Sequence, residues 1–300
     1  MNRATSHHTL PALHLLLALA VMAVWGTNFV VIKLALAHLP PLTLATLRFA
    51  FAFLPLALVL KRPAVSWRNL ALYGVLIGAG QFGLLFTAMR ASITPGLASL
   101  VVQVQVFFTI GLSMRLTGER VAWWQVCALG LAVGGLGVIA LHTDATATPL
   151  GLALVVLAAL CWALGNMTSR AAGPVNMLAY VVWSSVFAVP PLLIMSLLID
   201  GWPAIRTGVA SADAGTWVAV LWQSVGNTMF GYGAWGWLLH RHPAASVAPL
   251  ALLVPVFGMG ASALLLDEPL PAWKIMAFVL VMAGLALGVM WPQLARRMQR

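Results

Sequence analysis

The chain has 300 residues, of which 62% are hydrophobic and 7% are charged, and a soluble globular domain of this length could not bury so much apolar surface. The net charge of +10 comes from sixteen Lys and Arg that are scattered between apolar runs, so we expect no nucleic-acid partner and interpret the charge as an orientation signal. Cys127 and Cys161 lie inside apolar runs without metal-ligand spacing, so neither a disulfide framework nor a metal site is predicted.

Ten segments are apolar and long enough to cross a bilayer, whose hydrocarbon core of about 30 Å needs about 20 helical residues. In chain order they cover residues 13–36, 42–60, 69–89, 96–116, 122–141, 149–169, 177–199, 214–239, 245–266 and 270–291. The first is predicted to be a retained helix, because its apolar stretch is too long for a signal peptide. We therefore predict an all-α polytopic membrane protein with ten transmembrane helices.

The basic residues predict the orientation of these helices. With a cytoplasmic N-terminus, the cytoplasmic ends hold eleven Lys and Arg: Arg3, Lys61, Arg62, Arg68, Arg115, Arg120, Arg170, Arg241, Arg296, Arg297 and Arg300. The opposite side holds four, which are Lys33, Arg90, Arg206 and Lys274. Because positive charge accumulates on the cytoplasmic side, we expect both termini there, as an even number of spans requires.

The two halves of the chain also resemble each other. Trp25 with Lys33 recurs as Trp162 with Arg170 at the same spacing of eight. Farther along, a set of three recurs with a shift of 149 residues, as Glu119, Trp124 and Gly135 against Glu268, Trp273 and Gly284. Because five helices per copy is an odd number, the second copy must enter the membrane in the opposite sense. We predict two inverted five-helix repeats, residues 1–145 and 146–300, with substrate bound between them.

Four sequence segments resemble those of a known family: VWGTNFVVIK at 24–33, LATLRF at 44–49, CWALGNMTSR at 161–170 and LLVPVFGMGASALLLDEPL at 252–270. With the ten spans and the repeat, they make the chain similar to EamA-type members of the drug/metabolite transporter superfamily, and within it to bacterial amino-acid exporters of the YddG kind. The second half has Pro255 where the first has Gln105 or Val106, so we expect a less kinked fourth helix.

This resemblance implies a fold and an activity. The expected fold is a basket of two helical bundles around a central cavity, in the bacterial inner membrane. The expected activity is export of amino acids, neutral or aromatic, and of related small metabolites. The expected partners are the small-molecule substrate and the lipid bilayer; we expect a monomer and no cofactor.

Polar and aromatic side chains at membrane depth are the candidate cavity residues, because such groups are costly in lipid unless they face protein or water. The candidates are Trp25, Asn28, Gln81, Gln103, Gln105, Trp162, Asn166, Trp183, Gln223, Asn227 and Tyr232. On a helix, Gln223 shares a face with Asn227, and Trp25 shares one with Asn28, whereas Gln103 and Gln105 diverge. The alternative role for the polar groups is hydrogen bonding between helices, and for the aromatic ones core packing.

Three further residues are singled out by chemistry. Arg48 is the one charge inside a predicted span, and we expect it to snorkel to the interface; the alternative is that it steers a substrate carboxylate. Pro249 and Pro255 remove backbone hydrogen bonds within the ninth span and are candidate hinges for alternating access, although a static kink would give the same sequence.

The acidic residues limit the mechanism. All six lie at predicted span ends or in loops, so no carboxylate is expected at mid-membrane as a proton relay, and facilitative transport is favoured over proton coupling. Two alternatives stay open. One is export of organic cations or amphipathic drugs along the deep tryptophans. The other is a lipid-modifying membrane enzyme, for which no convergent acid, base or nucleophile is found, so no catalytic residue is predicted.

Overall fold

The structure is a computed structural model that describes residues 10–117, 123–142, 147–242 and 244–298. Throughout these ranges the chain is helical, apart from turns and an isolated antiparallel bridge between Ile93 and Ala147. A helix satisfies every interior backbone N–H and C=O within one segment, which is what an apolar chain in lipid requires. The predicted all-α class is thus confirmed for the described residues.

In the part of the first half that the structure describes, the chain forms five helices. They are α1 (Ala12–Ala35), α2 (Pro41–Ala57), α3 (Trp67–Ala91), α4 (95–117) and α5 (Trp123–Leu141). Proline begins α2 and α4, where its missing N–H costs no helical hydrogen bond. A π-helical stretch, Leu76–Gly83, lies within α3, and a three-residue 3-10 stretch, Val102–Val104, interrupts α4.

The described residues of the second half add six helices. They are α6 (Pro149–Ala171), α7 (Met177–Asp200), α8 (Trp202–Ser211), α9 (214–241), α10 (244–265) and α11 (Ala272–Met298). The short α8 was not predicted. A ten-residue π-helical stretch, Gln223–Tyr232, lies within α9, and a six-residue 3-10 stretch, Ala248–Leu253, interrupts α10. The 3-10 stretch in α10 ends shortly before Pro255, and the one in α4 ends just before Gln105.

Each predicted span coincides with one helix. The ends agree to within about three residues, except that residue 122 lies outside the described ranges and α11 continues beyond the predicted end at residue 291 to Met298. Seven of the described helices are long and apolar enough to cross a membrane: α1, α3, α4, α5, α6, α7 and α11. Shorter apolar helices lie at Pro41–Ala57 and Pro249–Leu265. Large apolar side chains such as Leu58, Leu141 and Leu264 are more than 80% exposed, which suits contact with lipid better than contact with water.

Small residues let helices pack closely at several crossings, of which α5 against α11 is the most extensive. A Cβ added to Gly135 would lie 2.6 Å from Val281 Cγ2, and one added to Gly284 would lie 2.6 Å from the Ala128 carbonyl oxygen. The two helices therefore approach each other reciprocally, each through its own glycine. Elsewhere α1 packs against α9 and α10, α2 against α7, and α6 against α3 and α4.

Candidate functional site

A polar cluster lies where α1, α2 and α9 meet, and Arg48 of α2 is its centre. The Arg48 side chain is 1% exposed. Its Nη1 donates to Gln223 Oε1 at 3.2 Å, and its Nη2 points toward Asn227 Oδ1 at 3.5 Å. Its Cζ lies 3.6 Å from the centre of the Phe82 ring of α3, in cation–π contact. The expectation that Arg48 snorkels to the interface is therefore wrong, because the guanidinium is enclosed by protein.

The π-helical stretch of α9 presents the amides to Arg48. Gln223 begins this stretch and Asn227 follows four residues later, on the same side of the helix as predicted. The Thr228 hydroxyl donates to the Gln223 carbonyl at 3.1 Å, and the Ser224 hydroxyl donates to the Arg48 carbonyl at 2.9 Å. The Ser224 hydrogen bond thus joins α9 to α2. A π-helical stretch such as this one, with its widened turn, is typical of functional sites.

Helix α1 adds Asn28 and Trp25 to the cluster, again from one face as predicted. Gln223 Nε2 donates to Asn28 Oδ1 at 2.7 Å. Trp25 Nε1 donates to the Asn227 carbonyl at 3.2 Å, and its ring packs against Tyr232 and the neighbouring Trp235, with ring centres 5.6 Å apart in each case. The cluster therefore has an amide side and an aromatic side.

A glycine is required beside this indole. A Cβ added to Gly231 of α9 would lie 2.2 Å from Trp25 Nε1, so any larger residue would displace the indole. The close approach of the α9 backbone therefore positions Trp25.

The cluster carries one positive charge and no negative one. Arg48 contacts amides and aromatic rings, and in the described ranges no carboxylate hydrogen bonds to it. Its Nε is buried, and no described residue hydrogen bonds to it. A buried charge is stable only if it is paired or well hydrogen bonded, so this guanidinium is incompletely satisfied. An anion at this position would complete its coordination.

A second, smaller polar group joins α6 to α4. Asn166 Nδ2 donates to Gln105 Oε1 at 3.0 Å and lies 3.3 Å from Thr109 Oγ1, and the Thr109 hydroxyl donates to Gln105 Oε1 at 3.2 Å. Trp162 lies half-buried on the same helix as Asn166. These three amide and hydroxyl groups satisfy one another and include no charge.

The remaining candidates make no hydrogen bond to the Arg48 cluster in the described ranges. Gln81 and Gln103 are buried, and their side chains make no hydrogen bond within the described ranges. Trp183 donates to the Leu60 carbonyl at 2.9 Å and packs on Trp67, so it helps join the ends of α2, α3 and α7 rather than lining the cluster.

The candidate hinge prolines and the surface groove are also apart from the Arg48 cluster. Pro249 lies in the 3-10 stretch of α10, and Pro255 lies in the first turn of the helix that follows. A shallow surface groove runs along α8, lined by Pro203, Arg206, Thr207, Ala210 and Ser211.

Sequence reasoning missed one buried ion pair. Lys274 Nζ lies 3.1 Å from Glu268 Oε1, and Glu268 also accepts hydrogen bonds from the Gly96 backbone N–H and the hydroxyls of Thr94 and Ser262. This carboxylate follows α10, at a predicted span end, but it is only 8% exposed. It joins the start of α4 to the connection between α10 and α11. The sequence signal for this residue was its recurrence in the two halves of the chain, as Glu119 and Glu268. Glu119 itself lies outside the described residues.

Comparisons with known proteins agree on one family. The model of the EamA-like transporter family matches residues 12–141 and 149–290. The chain is 40% identical over 282 residues to a protein of Escherichia coli (strain K12) described as a "Probable amino-acid metabolite efflux pump", with 91% of this chain and 93% of that protein covered.

Two further matches are more distant. A "Probable terminal-alkyne amino-acid exporter" of Streptantibioticus cattleyicolor is 26% identical over 280 residues, covering 88% of this chain and 89% of that protein. A protein known from a crystal structure superimposes with a TM-score of 0.61 at 18% identity, over 97% of this chain and 100% of the other, which shows a shared fold.

Proposed function

This chain belongs to the EamA-like transporter family, and from that premise we propose that it exports amino acids and related small metabolites across the bacterial inner membrane. The observation that carries the proposal is the buried guanidinium of Arg48, which lies where α1, α2, α3 and α9 meet and has no anionic partner in the described ranges. Of these helices, α1 and α3 are long and apolar enough to cross a membrane. A carboxylate is the group that every amino acid would bring to it, and guanidinium–carboxylate pairing is strong and directional.

The names of similar proteins support this substrate class. The Escherichia coli relative, which aligns along nearly its full length, is described as an amino-acid metabolite efflux pump, and the Streptantibioticus relative as an amino-acid exporter. Transfer of the substrate class to this chain rests on that similarity together with the chemistry of the Arg48 cluster.

We further propose ten membrane crossings arranged as two inverted five-helix repeats, 1–145 and 146–300. The family model matches two separate stretches, one in each half. Helix packing has the symmetry that such repeats require, because α1 packs on α9 and α10 while α6 packs on α3 and α4. The reciprocal glycines Gly135 and Gly284, which are 149 residues apart, give the α5–α11 crossing the same symmetry. With the distribution of Lys and Arg, ten crossings place both termini in the cytoplasm.

Burial of the site supports the further proposal of transport by alternating access. Arg48, Gln223 and Asn28 are nearly inaccessible, so a solute reaches them only if helices move apart. The irregular stretches Gln223–Tyr232 and Ala248–Leu253, the second of which holds Pro249 and precedes Pro255, flank α1 and are the natural bending points. In the described ranges no carboxylate lies at the cluster to relay a proton, so we propose facilitative transport. We also propose that the transporter is a monomer.

The alternative of organic-cation export is disfavoured by the same geometry. A cation entering the cluster would meet a positive charge, and the cation–π face of Phe82 is already occupied by Arg48. No observation favours the lipid-modifying enzyme, so we propose that substrates cross unmodified.

The experiment is counterflow of labelled neutral and aromatic amino acids into proteoliposomes, with and without a pH gradient. We expect saturable counterflow without a gradient, its loss in Arg48→Met, and its retention in Arg206→Met, whose arginine is exposed on α8. Strict dependence on the gradient would contradict facilitative transport. Flux of quaternary amines without flux of amino acids would establish the drug-export alternative instead.

A further inference from the structure

Most of the side-chain groups of the Arg48 cluster that make no hydrogen bond are donors. An arginine has only donors, so the Gln223 and Asn227 side-chain oxygens must face it, and this fixes the orientation of both amides. The side-chain nitrogen of Gln223 then donates to Asn28 Oδ1. In the described ranges, no hydrogen bond is made by Nδ2 of Asn28, by Nδ2 of Asn227 or by the buried Nε of Arg48, all donors, or by the Tyr232 hydroxyl, which can donate or accept.

The amide and backbone oxygens at the same place each accept one hydrogen bond already, and none of them carries a charge. The Asn227 carbonyl accepts from Trp25, the Gln223 carbonyl accepts from Thr228, and the Arg48 carbonyl accepts from Ser224. All three side-chain amide oxygens accept from within the cluster. A ligand ammonium, which is only a donor, therefore finds only uncharged acceptors here, namely the second lone pairs of these oxygens and the Tyr232 hydroxyl, and it meets the positive charge of Arg48.

From this imbalance we infer that the transporter recognises the carboxylate of its substrate at Arg48, Asn28 and Asn227 and does not recognise the α-ammonium. Its substrates then include monocarboxylates that lack the ammonium, such as 2-hydroxy acids, 2-oxo acids and N-acylated amino acids, with their apolar part against Trp25 and Tyr232. The inference rests on the proposed function and deepens it. Amines that lack the carboxylate are excluded.

The test is competition against counterflow of labelled phenylalanine at pH 7.5, by three unlabelled compounds of matched shape. They are phenylalanine itself, 3-phenyllactate, which has a hydroxyl in place of the ammonium, and 2-phenylethylamine, which lacks the carboxylate. We expect half-inhibition by phenyllactate within about three-fold of phenylalanine, and by phenylethylamine at concentrations at least about ten-fold higher, the range for losing hydrogen bonds to a charged group. Because only phenylalanine is labelled, passive leakage of the unlabelled acid or amine through the bilayer does not contribute to the measured flux.

The outcomes separate this inference from the proposed function. If phenylalanine is transported and phenyllactate competes at least ten-fold more weakly, the ammonium is recognised and the inference is overturned, while amino-acid transport stands. If phenylalanine is not transported, the proposed function fails and the inference fails with it. Comparable competition by phenylethylamine would show that the carboxylate is not recognised and would also overturn the inference.

The variant Asn227→Asp is expected to shift the preference of the site from phenyllactate toward phenylalanine. Asn227→Asp keeps the shape of the side chain, places a carboxylate beside Arg48 Nη2 and supplies an acceptor for an ammonium. We expect phenyllactate to compete at least ten-fold more weakly in this variant, with a smaller change for phenylalanine, because the new charge neutralises Arg48 but attracts the ammonium. An equal weakening of both compounds would contradict the assigned role. The control Arg206→Gln, on the exposed α8, leaves the wild-type order unchanged.

Discussion

Replacing Arg48 by methionine distinguishes a substrate site from hydrogen bonding that only joins helices. The substitution removes hydrogen bonds from Nη1 to Gln223 and from Nη2 toward Asn227. Hydrogen bonds to charged groups contribute about 1.5–3 kcal/mol each. It also removes a buried charge that lacks an anionic partner, whose desolvation costs several kcal/mol. These two contributions oppose each other, so we expect the thermal unfolding temperature in detergent to change little.

Substrate binding should respond differently to the same change. Loss of one charged hydrogen bond to the substrate carboxylate, at about 1.5–3 kcal/mol, lowers affinity by about 10- to 150-fold. The assay is stabilisation against thermal unfolding by increasing phenylalanine, in the wild type, in Arg48→Met and in the exposed control Arg206→Met. A variant that unfolds much earlier yet is stabilised at the same phenylalanine concentrations would show that Arg48 only joins helices, and would refute the reasoning.

Three further predictions concern packing and charge. Glu268→Gln should destabilise the protein by about 3–5 kcal/mol, because it leaves Lys274 charged and buried, whereas the double variant with Lys274→Met should recover most of the loss in a double-mutant cycle of unfolding. Gly135→Ala, whose Cβ would lie 2.6 Å from Val281, should destabilise by about 1–3 kcal/mol, while Gly134→Ala, with open space around it, should not; a common effect would contradict the close α5–α11 crossing. An imposed potential of 100 mV, worth about 2.3 kcal/mol per charge, should drive accumulation of a phenyllactate anion but leave zwitterionic phenylalanine unaffected; potential-driven phenylalanine flux would contradict uncoupled transport.

Much of the helical layout was predictable because it depends on local sequence. Runs of apolar residues about as long as the bilayer is thick predict where helices begin and end, and the observed helices follow them. The pairing of Gln223 with Asn227 and of Trp25 with Asn28 was also predictable, since helical periodicity places them on shared faces. The short α8 and the π-helical stretches carry no comparable signal.

The environment of Arg48 could not be predicted, because it depends on contacts between distant parts of the chain. Gln223 is 175 residues from Arg48 and 195 from Asn28, and a single sequence does not indicate which helix faces cover a given side chain. Snorkelling was expected from depth alone, but the amides of α9 and the ring of Phe82 enclose the guanidinium. Burial of Glu268 was missed for the same reason, since its partners at the start of α4 are more than 170 residues away.

The most direct measurement is the distance between a bound substrate carboxyl and the Arg48 guanidinium, by solid-state NMR dipolar recoupling in lipid. Phenylalanine labelled with ¹³C at the carboxyl is bound to protein whose arginines carry ¹⁵N in the guanidinium, and Arg48→Met identifies the Arg48 contribution. Hydrogen bonds of 2.7–2.9 Å predict a carbon–nitrogen distance of about 4 Å or less, lost in the variant. Bound phenylalanine whose carboxyl shows no such coupling, or shows it unchanged in Arg48→Met, would contradict the proposal that Arg48 binds the substrate.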